Sequence, residues 1–314
     1  MNFWQDKSVL ITGGTGSLGS ALVKELTNRT VRKIIIYSRD ELKQFEMRQR
    51  INDDRLRFFL GDVRDKDRLN MSFENVNVVI HTAALKQVSS GEYNPFEFVK
   101  TNIAGSQNVV EAAIKNNVEF VLGISSDKAS GGAINLYGAT KLIMERLFIQ
   151  GKVYSGQRNT KFSCVRYGNV IGSRGSLIRV FQEQMKAGKI TVTDFNATRF
   201  WITMPQAVNF VLSSIEMMRG GEIFIPKLKA SDVATVYKAM DKDALCKVDI
   251  IGLRNGEKMH ETLISNEELC RTEDMGDRFV IDTKRRSIST SAYVSNLVEQ
   301  ISVEEVRQLI DTLQ

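Results

Sequence analysis

Chemistry concentrates in the stretch SSDKASGGAINLYGATK, from Ser125 to Lys141. Tyr137 and Lys141 are four residues apart, a spacing that puts both on one face of a helix. A tyrosine with its ordinary pKa near 10 is a poor base at neutral pH. A nearby ammonium would stabilise its phenolate. It could then take the proton of a substrate hydroxyl while hydride leaves the same carbon. Ser126, at the end of the preceding apolar run, is placed to hydrogen-bond that oxygen. Asp127 and Lys128 are an adjacent acid and amine for which simple hydride transfer has no use. On an exposed loop such a pair is worth about 1 kcal/mol at most. Their position directly after a strand end favours instead a part in a second reaction.

Upstream, TGGTGSLG follows one apolar run and opens an amphipathic one. Gly13, Gly16 and Gly19, with Thr15, Ser17 and Leu18 between them, fit a strand–turn–helix dinucleotide site. Glycines let the backbone approach a pyrophosphate, and the helix N-terminus offers free N–H groups. The second strand ends in Ser38, Arg39 and Asp40. Arg39 can fork onto a 2′-phosphate, which predicts NADP. If Arg39 is only a solvated charge, Asp40 would take the ribose of NAD. Asp62 and Val63 follow the third strand, where the adenine edge is expected.

The elements that must position these groups alternate. Strand-like runs (KSVLIT, KIIIYS, LRFFL, NVVIH, EFVLGI, KFSCV) are separated by helical periodicities over about 170 residues, which predicts an α/β fold with a doubly wound parallel sheet. We expect a Rossmann-type dinucleotide domain over residues 1–170, a helix near 200–220 returning to it, and a smaller interleaved substrate region over 171–199 and 221–314. Ser231 and the pair Ser302/Glu305 read as helix caps. The 314 residues, 42% hydrophobic and 25% charged with net charge +6, suit a globular protein. Basic residues are dispersed, so an anionic small molecule is a better partner than nucleic acid. No apolar run approaches the ~20 residues of a membrane span, and the N-terminus has no signal-peptide pattern. Cys164, Cys246 and Cys270 show no metal spacing, and with only His81 and His260 no metal site is expected. The thiols read as reduced packing residues of a cytoplasmic protein. His81 reads as the polar end of a buried strand and His260 as a helix-surface residue.

Taken together, TGGTGSLG, GDVRD, HTAA, TNIAGSQNV, YGATK and RYGNVIGSRGS resemble the extended short-chain dehydrogenase/reductase family. Within it, SSDKA…NLYGATKL, YSRDELKQFEM, TRFWIT, GGEIFIPK and IGLRNGEKMHETLIS are most similar to UDP-N-acetylglucosamine 4,6-dehydratases. Tyr137 stands where C5-retaining relatives often carry Met, so the resemblance is to the C5-inverting enzymes that begin pseudaminic acid synthesis. It implies tightly held, recycled NADP, UDP-N-acetylglucosamine as substrate, and a homo-oligomer. It implies that Lys128, partly neutral, removes the C5 proton and that Asp127, partly protonated, assists loss of water. Ala83, Ala84 and Lys86 would lie along the cofactor, with Lys86 also near phosphate or sugar. Asn102 would be a structural helix position. Asn169, Arg174, Ser176, Arg199, Arg254 and Glu257 would contact the nucleotide sugar. The chain departs from these relatives at KQVSS (86–90), at KASGG (128–132), where two glycines are expected to loosen the loop, and in a shorter C-terminal region.

Overall fold

The computed structural model describes residues 2–284 and 291–311. Six parallel strands, β1 (Ser8–Thr12), β2 (Lys33–Ser38), β3 (Leu56–Leu60), β4 (Val78–His81), β5 (Phe120–Ile124) and β6 (Lys161–Val165), stand in the order β3-β2-β1-β4-β5-β6. β1 and β4 are buried at every residue. That is why they read as unbroken apolar runs rather than alternating ones: helices cover both sheet faces. Strand order reverses between β1 and β4, so the carboxyl ends of these strands open a crevice there. The doubly wound sheet expected from the sequence is the observed one.

The sheet continues past β6. Ile223–Pro226 adds in parallel, then Arg278–Ile281 and Thr272–Asp274 add antiparallel. The segment 221–314, expected in the substrate region, therefore contributes three strands to the main sheet.

Helix α1 (Ser17–Thr27) buries Gly19, Leu22, Val23 and Leu26, the i, i+3, i+4, i+7 stripe of a core-facing helix. The returning helix, Met204–Met217, is closed by a Thr203/Gln206 capping box. It packs Val208, Val211, Leu212 and Ile215 into the core that also holds Val9, Leu22 and Ile34. A separate apolar core, including Ile178, Phe181, Trp201, Val236 and Val306, supports the opposite wall of the crevice.

Three local expectations are corrected. The helix Val233–Met240 is capped by Asp232, which accepts from Thr235 N at 2.7 Å. Ser231 instead accepts from Trp201 Nε1 at 2.7 Å. His260 is not on a helix: it forms an isolated parallel bridge with Thr198. The third, the KASGG loop, is described with the site. Ser302 and Glu305 do exchange the reciprocal bonds of a capping box, at 3.1 and 2.8 Å. Among the described residues, no helix is long and apolar enough to cross a membrane.

Candidate active site

A cavity of about 750 Å³ opens at the carboxyl ends of the strands. Every cofactor and substrate residue expected from the sequence lines it. So do Ser126, Lys128, Tyr137 and Lys141, but Asp127 is not among the lining residues.

At the β1–α1 turn, Gly13 has φ +68, and a Cβ there would lie 2.9 Å from the Ala83 backbone. A Cβ on Gly19 would lie 2.5 Å from the Gly13 carbonyl oxygen. Any side chain would fill the cradle or push α1 away from the turn. Among the described residues no side chain caps the N-terminus of α1, so its N–H groups are left for a ligand; this fits a pyrophosphate.

At the end of β2, Asp40 is already engaged. It caps α2 (Glu41–Arg50), accepting from Lys43 N at 3.0 Å, and it pairs with Lys43 Nζ. Ser38 is buried and accepts from Gln44 Nε2 at 3.0 Å. Asp62 takes Arg64 Nη2 at 2.6 Å, with Arg39 Nη1 3.7 Å away. Burial would raise the Asp62 pKa, but the Arg64 hydrogen bonds and the two guanidinium charges hold it below the usual carboxylate range. Arg39 stays largely exposed. Lys43, which the sequence reading passed over, also lines the cavity.

The stretch Ser125–Lys141 is built from the end of β5 and the helix Leu136–Tyr154. Asn135 caps that helix, accepting from Gly138 N and donating to Gly256 O, both at 2.7 Å. This fixes Tyr137 in the first turn. Ser126 begins a 3₁₀ turn, Asp127–Ala129. Its hydroxyl donates to Asp127 Oδ1 at 2.8 Å and lies near enough to the Tyr137 phenol to favour its phenolate. Lys141 Nζ donates to the Ile124 carbonyl at 2.6 Å, and burial lowers its pKa to about 8. Burial raises the Tyr137 pKa, and the ammonium that most opposes this is that of Lys128.

Lys128 Nζ lies 3.0 Å from Asp127 Oδ1 and 3.1 Å from Glu261 Oε1. Burial acts to neutralise the amine, but the two carboxylates outweigh it and hold its pKa above the ordinary lysine value. The expectation of a partly neutral Lys128 is therefore not met by the free site. Burial pushes the Asp127 carboxyl upward, helped by the Glu261 charge and opposed by Lys128.

Glu261 was not anticipated. The fold delivers it through the Thr198–His260 bridge and through Ser295, which bonds the Glu261 backbone N–H with its hydroxyl and the carbonyl with its own N–H, both at 2.9 Å. Contacts 133 residues apart in the chain leave no spacing signal.

Arg199 Nη2 binds Glu257 Oε1 at 2.9 Å. Arg174 reaches the glycine turn instead of the far wall: its Nη2 donates to Thr15 O at 2.9 Å and its Nε lies 3.4 Å from Ser17 Oγ. Ser176 Oγ is buried without a partner among the described residues, and Asn169 starts a short strand beside Trp201. Lys86 and Arg254 have no carboxylate partner among the described residues. Asn102 exchanges two 2.8 Å bonds with the Leu85 backbone and holds Thr140 at 3.0 Å, clamping the loop after β4.

The KASGG loop is anchored rather than loosened. Lys258 Nζ donates to Ser130 O at 2.7 Å, and Ser130 Oγ to Glu268 Oε2 at 2.9 Å. Gly131 has φ +63 and would place a Cβ 2.7 Å from Thr262, so glycine is required there.

The family model described as "Polysaccharide biosynthesis protein" matches residues 9–283. The chain is 47% identical over 278 residues to a UDP-N-acetylglucosamine 4,6-dehydratase (inverting) of Campylobacter jejuni, covering 88% of this chain and 82% of that one. It is 37% identical over 329 residues to a UDP-glucose 4-epimerase of Rickettsia canadensis, covering 98% and 96%. The crystal structure of Pen from Bacillus thuringiensis superposes with a TM-score of 0.95 at 38% identity, over 99% of each chain. With the family model matching most of its length, the chain belongs to the polysaccharide biosynthesis protein family.

Proposed function

We propose that this chain is an NADP-dependent UDP-N-acetylglucosamine 4,6-dehydratase that inverts C5, giving the 4-keto-6-deoxy sugar nucleotide of L-arabino configuration used in pseudaminic acid-type synthesis. The observation that carries it is the ionised cluster around Lys128, 3.0 and 3.1 Å from two carboxylates and beside the Ser126–Tyr137 pair. Hydride transfer alone has no use for such a cluster; elimination of water does.

In this reading Tyr137, ordered by Ser126, takes the C4 hydroxyl proton. Bound nicotinamide supplies the hydride acceptor at C4 and the hydride donor for C6. The C4 ketone acidifies the C5 proton, which Lys128 removes, and the C6 hydroxyl leaves as water. Lys86 and Arg254, without carboxylate partners, are the cations for the diphosphate. Arg174 lies over the glycine turn and bridges the two ligands. Arg39 and Lys43, at the end of β2 where Asp40 is occupied, support NADP over NAD. The cycle is redox-neutral, so a tightly held cofactor does not slow turnover.

The similarity to a UDP-glucose 4-epimerase over nearly the whole chain favours a second reading, C4 epimerisation. That reaction would use Tyr137 but leave Asp127, Lys128 and Glu261 without a task. Proton NMR of the purified protein with UDP-N-acetylglucosamine in D2O, without added cofactor, separates the two. The expected product has a C6 methyl group, deuterium at C5 and couplings of the L-arabino ring. A C4 epimer without a methyl signal would overturn the dehydratase reading, and retained geometry at C5 would overturn inversion.

A further inference from the structure

We propose that Glu261 is a catalytic acid of this site, taking the proton of Lys128 before elimination and handing it to the departing C6 hydroxyl. The proposal rests on the dehydratase reading and adds a residue to it.

The geometry singles out Glu261 over Asp127. Both carboxylates touch Lys128 Nζ, but only Glu261 lines the cavity. Its side chain is 3% exposed, its Oε1 lies 3.1 Å from Nζ, and its Oε2 is buried without a hydrogen-bond partner among the described residues. An ionised carboxylate oxygen left unpartnered in a dry site is costly, and a substrate hydroxyl would satisfy it. Asp127 Oδ2 is also unpartnered among the described residues, but Asp127 does not line the cavity, and its Oδ1 is taken by both Ser126 Oγ and Lys128 Nζ. Asp127 then serves as a positioning residue, holding Nζ and the Ser126 hydroxyl.

The protons balance. In the free site Lys128 is an ammonium, and Glu261 is held ionised against burial by Lys128, Arg199 and Lys258. Substrate closes the site and expels water, which lowers the dielectric and favours a neutral amine–carboxylic acid pair over an ion pair. The Lys128 N–H breaks and the Glu261 O–H forms. The amine lone pair takes the C5 proton, and the C5–H electrons pass toward the C4 ketone. The C6–O bond breaks as Glu261 protonates the oxygen, releasing water. Lys128 is again an ammonium and Glu261 a carboxylate, so the cluster returns to its starting charge. The charged and titratable groups facing this exchange are Asp127 and Tyr137 on one side and Arg199 and Lys258 on the other.

The test uses Glu261→Gln and Glu261→Asp in the full chain with its cofactor. Glu261→Gln should lower kcat about 100-fold, the usual size of a general acid–base contribution, with KM changed less than threefold. Glu261→Asp should restore about tenfold of that loss. The residual rate of Glu261→Gln should climb with pH, because Lys128 must then lose its proton to solvent; a merely structural role would not tilt the profile. Independently of any sugar, NMR of lysine-labelled protein, with Lys128 assigned by Lys128→Met, should show Lys128 titrating at lower pH in Glu261→Gln. A kcat within threefold of the parent, or an unmoved Lys128 titration, overturns the proposal. If the parent protein forms no 4-keto product, the dehydratase reading fails and the acid role with it. The titration still reports separately whether Glu261 governs the Lys128 proton.

Discussion

Gly138 and the Lys128 carbonyl are packed so closely that a Cβ on Gly138 would lie 2.2 Å from the carbonyl oxygen. The glycine inside YGATK is therefore what lets the turn carrying Asp127 and Lys128 seat on the helix carrying Tyr137 and Lys141. The oxygen belongs to backbone, so the contact is relieved only by moving the turn or the helix.

Gly138→Ala should thus act as a catalytic lesion at a position that touches no substrate. A displacement of about 1 Å at reacting groups costs about 100-fold in rate. We expect kcat to fall by about that factor, with NADP affinity changed less than threefold because the glycine turn is remote. Steady-state kinetics together with cofactor fluorescence titration measures both; an unchanged kcat would show that the turn tolerates the shift.

Arg39→Ala should weaken NADP while sparing NAD. The guanidinium lies 3.7 Å from Asp62 at its nearest approach, a loose pairing that a 2′-phosphate would outcompete. Hydrogen bonds to charged groups are worth about 1.5–3 kcal/mol, so the NADP Kd should rise roughly 10- to 100-fold. Asp40 cannot easily replace it as a ribose acceptor, because releasing it uncaps α2. Titration of the refolded, cofactor-free protein with each dinucleotide decides this, and equal losses for both would refute the 2′-phosphate role.

The sheet and the cofactor turn were legible because local signals coincide there with global ones. β1 and β4 are buried at every residue and β2, β5 and β6 at all but their first, so each is a self-announcing apolar run. Only the edge strand β3 exposes residues within its run, Arg57 and Leu60, and Gly13, Gly16 and Gly19 are forced by backbone approach. The proton-handling cluster was only half legible. Ser126, Asp127, Lys128, Tyr137 and Lys141 lie within sixteen consecutive residues, but Glu261 arrives by a bridge at Thr198–His260. Glu261 adds its charge to that of the neighbouring Asp127 in holding Lys128 protonated, and this second carboxylate is the part the sequence could not show. Gly131 looked like looseness for the same reason: its partner Thr262 and the anchor Lys258 are more than 120 residues away.

Arg166 should be the most costly charge in the protein to remove. It is fully buried and binds Glu145 at 2.6 and 2.9 Å, Glu268 at 2.9 and 3.0 Å, and Leu263 O at 2.8 Å. Glu145 also takes the Ser125 hydroxyl and Glu268 that of Ser130, so the cluster flanks the catalytic turn on both sides. Arg166→Met would leave two buried carboxylates uncompensated, at a cost of about 3–5 kcal/mol. Urea unfolding should show that loss, and adding Glu145→Gln with Glu268→Gln should recover part of it. A loss below about 1 kcal/mol would mean the carboxylates find water or protons without strain.

Acid should destabilise the fold through His81. The ring is buried between Thr12 Oγ1 at 2.8 Å and Ser106 Oγ at 3.1 Å. Burial first, and the Lys141 charge second, lower its pKa from 6.5 to about 3. Between those values the unfolded chain binds a proton that the folded one refuses, so stability falls as pH drops through this window. The slope is about 1.4 kcal/mol for each pH step fully inside it. From pH 6 to pH 4 the parent protein should lose about 2–3 kcal/mol more than His81→Asn, which carries no titrating ring, although the variant starts less stable at pH 7. Urea midpoints of both proteins across that range measure the difference. Parallel curves would mean that the His81 ring takes up a proton in the folded protein, and that its bonds to Thr12 and Ser106 rearrange to allow it.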